Sequence, residues 1–245
     1  MPELEHKKAA ESLVARLMEP CAHCETRHMS VCRAIEDPYI DQLAQLVTSI
    51  ELTPRESMIA EGESARHYFN ITAGAVKVFK LLPDGRQQII GFSLPGDFIG
   101  LAVKDAYGYS AEALVPSRVC RFDRNKLEGL LVRFPKMEHE LRNQASDELA
   151  IAQDQMMLLG RKTAKERVAS FLLQLSARAK RAGLDHNPIH LAMGRADIAD
   201  FLGLTIETVS RTFTSLKKDG MIDLEPGNHV RLRTARLQEL SGDWY

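Results

Sequence analysis

Two sets of residues in this chain have types and spacings that could do chemistry. The first is Cys21-Ala-His-Cys24, followed after seven residues by Cys32. The intervening stretch, Glu25 to Val31, has neither helical nor strand periodicity. Three thiolates within twelve residues therefore sit on a loop and can converge on one small object. One further cysteine completes the set of four: Cys120, in the β-rich run Arg118 to Phe122, where a buried inert thiol is the plain alternative. The second set is Glu207, Ser210 and Arg211, spaced i, i+3 and i+4. An Arg fork fits guanine O6 and N7, a carboxylate accepts from cytosine N4, and Ser bonds either way.

The elements that must position the second set are written locally. Residues 194–220, GRADIADFLGLTIETVSRTFTSLKKDG, read as helix, tight turn, helix. Ala196, Ile198, Ala199 and Leu202 give the first helix its apolar stripe, Gly203-Leu204 the turn, and Thr205 the N-cap of the second. Ile206, Val209, Phe213 and Leu216 form a core stripe at helical spacing. Glu207, Ser210 and Arg211 are left outward in the first turns, with Lys217 and Lys218 further on, within reach of phosphate. For the helix alone, a solvated face with an i,i+4 Glu–Arg pair is the plain alternative. Two observations favour nucleic acid. Met221–Glu225 and His229–Arg233 flank Pro226-Gly227-Asn228 as a hairpin, which makes the motif a winged one. Residues 161–245 also hold 14 Lys and Arg against 10 Asp and Glu, leaving 18 against 23 elsewhere, so the C-terminal third is the basic part of a chain of net charge −1.

A length of 245 residues fits one large or two ordinary domains, and the charge asymmetry favours two. No apolar run approaches the ~18 residues of a membrane span and the N-terminus has no signal-peptide core, so a cytoplasmic protein is expected. In a reducing compartment cysteines are metal ligands or reactive thiols before they are a disulfide framework. Ala9–Glu19 predicts a short amphipathic helix, and Asp37–Ser49 another. From Ile50 to Phe122 brief β-rich runs alternate with turns: Tyr68–Thr72, Val76–Leu82, Gln88–Phe92 and Arg118–Phe122. Asp84-Gly85 gives the best hairpin signal. The pattern predicts a compact antiparallel sandwich or roll.

Asp123 is expected to cap a helix through Arg133, and Pro135 to start a long helix reaching about Leu159. Along it Leu141, Ala145, Leu149, Ala152, Met156 and Leu159 step by 4, 4, 3, 4 and 3, the alternation of a two-stranded coiled-coil seam. A helix packed on its own domain is the alternative. Gly160 is expected as a hinge, and Thr163-Ala-Lys-Glu166 as a capping box opening a helix that buries Val168, Phe171, Leu172 and Leu175. The expected fold class is thus α+β. A cysteine-rich segment (1–36) precedes a jelly-roll-like antiparallel β-roll (37–134), a dimerisation helix (135–160) and a winged helix-turn-helix (161–245).

This order of elements resembles the cyclic-AMP receptor protein (CRP/FNR) superfamily of bacterial transcription regulators over nearly the whole chain, most strongly in Asp197 to Arg211, DIADFLGLTIETVSR. The N-terminal cysteines and the Glu207, Ser210, Arg211 set are similar to its oxygen-sensing fumarate and nitrate reduction regulator branch. That resemblance implies that Cys21, Cys24, Cys32 and Cys120 ligate a 4Fe-4S cluster, which holds a homodimer in its DNA-binding form until oxygen dismantles it. It implies no enzyme. The implied function is regulation, mainly activation, of anaerobic or microaerobic genes, with RNA polymerase as a partner. The implied DNA is an inverted repeat with half-sites similar to TTGAT, met by Thr205, Glu207, Ser210, Arg211, Lys217 and Lys218.

This chain departs from the resemblance in three places. The gap of seven before Cys32 is the longer version found in only some members. Cyclic-nucleotide binders carry an Arg-Ser pair late in the roll; here Tyr107-Gly-Tyr-Ser-Ala111 puts Tyr109 before the Ser, so a charge-paired phosphate contact and a cyclic nucleotide are not expected. In oxygen-sensing relatives a negative charge midway along the pairing helix opposes dimerisation, whereas Ala152 falls at that position here. Cluster-free protein is accordingly expected to retain substantial dimer.

Zinc is the rival cofactor, since four thiolates, or three with His23 or His28, satisfy a tetrahedral site. An iron-sulfur redox protein is a further alternative, against which the chain lacks the Cys-x3-Cys-x2-Cys spacing of radical enzymes, a Gly-rich nucleotide loop and a nucleophile elbow.

Overall fold

The structure, a computed structural model, describes residues 21–101 and 105–242. The helix expected over Ala9–Glu19 lies outside the described residues. From Cys21 the chain makes short 3-10 turns at Arg27–Met29, Val31–Ala34 and Asp37–Tyr39, then helix α1 (Ile40–Ala44). Eight strands follow: β1 (Val47–Leu52), β2 (Ser57–Ile59), β3 (His67–Ala73), β4 (Val76–Leu81), β5 (Gln87–Ser93), β6 (Phe98–Ile99), β7 (Ser110–Ala113) and β8 (Ser117–Asp123). Next come α2 (Arg124–Arg133), α3 (Pro135–Arg161), α4 (Ala164–Arg181) and β9 (Ile189–His190). The chain closes with α5 (Arg195–Leu202), α6 (Ile206–Lys218), β10 (Ile222–Glu225), β11 (His229–Leu232) and α7 (Thr234–Ser241). These elements fall into two compact units. One holds the described residues up to Val76 with Ser93–Ala145, the other Lys77–Phe92 with the described part of 146–245.

In the first unit β1, β8, β3 and β6 form a sheet in that order, antiparallel throughout. β2 pairs with β7, and Ile59, Ile71, Ala111 and Val119 are almost completely buried between these strands. A second core cluster joins the cysteine segment to the rest. Val31, Leu43, Leu127 and Met137 are fully buried, and each contributes roughly 1.5–3 kcal/mol by leaving water. Asp123 caps α2 by accepting from the Lys126 N–H at 3.0 Å, as the sequence predicts. The helix expected over Asp37–Ser49 is cut short. Leu43 does face the core, but Val47 to Ser49 belong to β1, paired with Phe122 to Cys120. The cross-strand register overrides the weak helical spacing.

In the second unit Thr163 and Glu166 form the expected capping box, and Val168, Phe171, Leu172 and Leu175 are buried along α4. Gly160 does not break the chain: α3 runs through it to Arg161, and the break falls at Lys162–Thr163. One helical Gly costs ~1 kcal/mol against Ala, too little to end a 27-residue helix. The wing has a third strand, since β9 pairs with β11 beside the predicted β10–β11 hairpin. The turn of that hairpin is left-handed at both Gly227 (φ 70°) and Asn228 (φ 60°), residue types that tolerate it.

Candidate cysteine site and DNA-reading face

The cysteine segment carries little regular structure and is held by specific polar contacts. Arg27 donates to Asp37 Oδ1 at 2.6 Å and to the Ile35 carbonyl, which closes the segment on itself. Ser30 Oγ accepts from the Cys32 N–H at 3.3 Å and so caps the turn that carries Cys32. Gly96, at φ 97°, lets the β5–β6 turn approach Met29 so closely that a Cβ there would lie 2.9 Å from the Met29 carbonyl oxygen. No side chain fits between that turn and the segment.

Around these contacts three cysteines meet at one core cluster, with Cys24 within electrostatic reach of them. Cys21 and Cys32 are buried in one cluster with Phe98, Phe122 and Leu127, and Cys120 of β8 packs against the same cluster. Burial pushes the Cys21 thiol up to about 12, with Cys32 and Cys24 adding to the shift. Cys120 is likewise raised by burial to about 12, with Cys24, Cys21 and Cys32 adding to the shift, and burial raises Cys32 to about 11. The site is therefore four thiols within electrostatic reach of one another, of which Cys21, Cys32 and Cys120 are costly to ionise without a cationic partner. Among the described residues no three His, Cys, Asp or Glu side chains are gathered as the ligands of a single metal ion.

At the other site α5, α6 and the wing present the predicted helix-turn-helix. Gly203 ends α5 in the left-handed conformation (φ 61°), and Thr205 Oγ1 accepts from the Thr208 N–H at 3.2 Å to cap α6. Val209, Phe213 and Leu216 are buried, whereas Ile206 is 49% exposed and Ala196 exposed, so neither joins the core stripe. Thr212 is buried in α6 instead, its hydroxyl donating to the Thr208 carbonyl at 2.7 Å. Glu207, Ser210, Arg211, Lys217 and Lys218 are all exposed on α6. The Glu207 carboxyl is held below its usual range by its own backbone N–H and the Thr205 side chain.

The sequence gives no signal for what holds the turn between α5 and α6. Three successive carbonyls at the α5 C-terminus accept from side chains of three other elements. Gln88 of β5 donates to Asp200 O at 2.6 Å, Gln155 of α3 to Phe201 O at 2.9 Å, and Arg167 of α4 to Leu202 O at 2.9 Å. The Asp200 carboxylate also accepts from Gln87 Nε2 and the Ile89 N–H, at 2.9 and 3.2 Å. These donors bond the carbonyls at the end of α5 and fix the turn from which α6 starts.

Along α3, Leu141 is buried in its own unit's core and Leu159 is half-buried, while Ala145, Leu149, Ala152 and Met156 are exposed, Leu149 by 60% and Met156 by 66%. In the roll, Tyr107 OH exchanges hydrogen bonds with the His67 backbone and Tyr109 OH accepts from the Gly100 N–H at 2.8 Å. Ser110 Oγ is likewise taken by the Glu61 N–H at 3.0 Å.

A β-roll joined to a capped, winged helix-turn-helix with an outward basic face defines a DNA-binding transcription regulator. Residues 166–240 match the Crp-like helix-turn-helix domain and residues 49–134 the cyclic nucleotide-binding domain. The chain is 41% identical over 89% of its length to the transcriptional activatory protein AadR of Rhodopseudomonas palustris, covering 92% of that protein. It is 35% identical over 95% of its length to the transcriptional activator protein Anr of Pseudomonas aeruginosa, covering 98% of it. The solved structure of FixK2 from Bradyrhizobium japonicum superposes with a TM-score of 0.74 at 37% identity, covering 80% of this chain and 98% of that one. The chain belongs to the CRP/FNR family of transcription regulators, and it is not an enzyme. No helix among the described residues is long and apolar enough to cross a membrane.

Proposed function

We propose that this regulator is an oxygen-responsive homodimer, mainly an activator, in which Cys21, Cys24, Cys32 and Cys120 hold a 4Fe-4S cluster. The observation that carries the proposal is that Cys21 and Cys32 share one core cluster, Cys120 of β8 packs against it, and Cys24 lies within electrostatic reach of all three. Four thiolates are the donor set a cubane takes. Zinc is the rival occupant, since its tetrahedron takes four thiolates as well. When bound, the cluster supplies an oxygen-labile cross-link between the cysteine segment and β8.

The chain's own residues do the rest. Arg27 and Ser30 fold the segment, and Gly96 seats it. On α3 the exposed stripe Ala145, Leu149, Ala152 and Met156 pairs with the same stripe of a second copy. On α6, Arg211, Ser210 and Glu207 read base edges of an inverted repeat similar to TTGAT half-sites while Thr205, Lys217 and Lys218 meet phosphate. RNA polymerase is the partner of the DNA-bound form. Tyr107, Tyr109 and Ser110 already bond to backbone groups, and no cyclic nucleotide is required. Iron, acid-labile sulfide and zinc analysis of protein purified without oxygen tests the proposal. About four iron and four sulfide per chain is the expected result; stoichiometric zinc without sulfide would overturn it.

A further inference from the structure

In the first unit's sheet, the residue directly opposite Cys120 on β3 is Asn70. Directly opposed residues share one face of a sheet, with Cβ atoms ~4.5–5.5 Å apart. On its other side Asn70 is opposed by Phe98 of β6, and Phe98 belongs to the cluster against which Cys120 packs. The neighbours two residues along, Tyr68 on β3 and Phe122 on β8, belong to that cluster too. Asn70 thus projects into the cysteine-bearing core. It is 1% exposed, and its side-chain oxygen has no hydrogen-bond partner among the described residues.

A buried amide oxygen left unpaired costs about 1–3 kcal/mol, and an apolar residue of the same size would avoid that cost. Stability therefore does not account for an Asn at this place. The amide can turn over, which exchanges its oxygen for its N–H2 at nearly the same position. Turned that way, it offers a donor beside a sulfur ligand, and hydrogen bonds to sulfur tune both the potential and the retention of an iron-sulfur centre.

We propose that Asn70 is a positioning and tuning residue that donates an N–H to sulfur at the Cys120 corner of the site once the cofactor is bound. The inference rests on the proposed cluster. With that donor present, the more electron-rich state of the centre is stabilised and oxidation is resisted.

The full-length protein, purified anaerobically as wild type, Asn70→Leu and Asn70→Ala, provides the test. The two variants are expected to load iron and sulfide but to show a lower midpoint potential by EPR-monitored titration. Their visible absorption should decay about tenfold faster in air-saturated buffer. Cluster-free Asn70→Leu should melt no lower than cluster-free wild type, because the unpaired carbonyl is gone. Unchanged potential and lifetime in both variants would overturn the proposal, as would loss of folding or of melting temperature in cluster-free Asn70→Leu. If wild-type protein itself lacks iron and sulfide, the cluster proposal fails; a loaded wild type with indifferent variants removes only the role of Asn70.

Discussion

In the helix-turn-helix, Glu207, Ser210 and Arg211 lie within five residues of one capped helix, whereas Cys120 meets Cys21 and Cys32 only because β8 pairs with β3 and packs under the N-terminal segment. The first arrangement is local. Thr205 caps α6, Gly203 ends α5, and a buried stripe fixes which side faces out. The second is tertiary, made of 3-10 turns held by Arg27 and Ser30 and seated against Gly96. A site built by caps and periodicity tolerates change one residue at a time. A site assembled from distant segments fails when any one of them lets go.

Five substitutions sharpen this contrast. Cys120→Ser should have the largest effect, removing the brown colour and specific DNA binding together, because a cubane on three protein thiolates is poorly held. A full cluster and full binding in that variant would place the fourth ligand elsewhere. Next is Ala152→Asp, which puts like charges into the exposed apolar stripe of α3. Wild-type cluster-free protein should keep substantial dimer at micromolar concentration and the variant should shift toward monomer, as read by analytical ultracentrifugation.

Arg211→Ala should cost on the order of 1 to 3 kcal/mol at the base pair it reads and leave scrambled DNA almost unaffected, while Lys217→Ala weakens both alike. Equal losses on matched and scrambled sites for Arg211→Ala would rule out base reading. Smallest is Gln155→Glu, which removes the donor to Phe201 O without changing size. It should loosen the α5–α6 turn, seen as faster hydrogen exchange at Leu204, whose N–H bonds Ala199 O at 2.9 Å. The loss of specific affinity should be about threefold to tenfold.

The contrast also explains what the sequence makes legible. Caps and turns at Asp123, Thr163, Gly203 and Thr205 stand where local chemistry puts them, and so does the wing hairpin. The third wing strand, Ile189–His190, is two residues long and has no periodicity to show. Ile206 matches the helical stripe by number yet is exposed, because it sits in the first turn, before the helix reaches its packing partners. Asp37–Ser49 reads as one helix since Leu43, Leu46 and Val47 share helical spacing, but pairing with β8 claims Val47 onward. The donors to the α5 carbonyls, Gln88, Gln155 and Arg167, come from three separate elements and leave no trace in spacing. Asn70 is equally silent in sequence, since only the register with Cys120 gives it meaning.

In the proposed switch the state of the four cysteines controls DNA binding by α6. Its most direct test is a titration of one anaerobic preparation against a labelled inverted repeat, before and after exposure to air, with iron and sulfide followed in the same samples. Tight, sequence-specific binding should fall in step with loss of the cluster and return on anaerobic reconstitution. Binding that is unchanged while iron and sulfide are lost would contradict it.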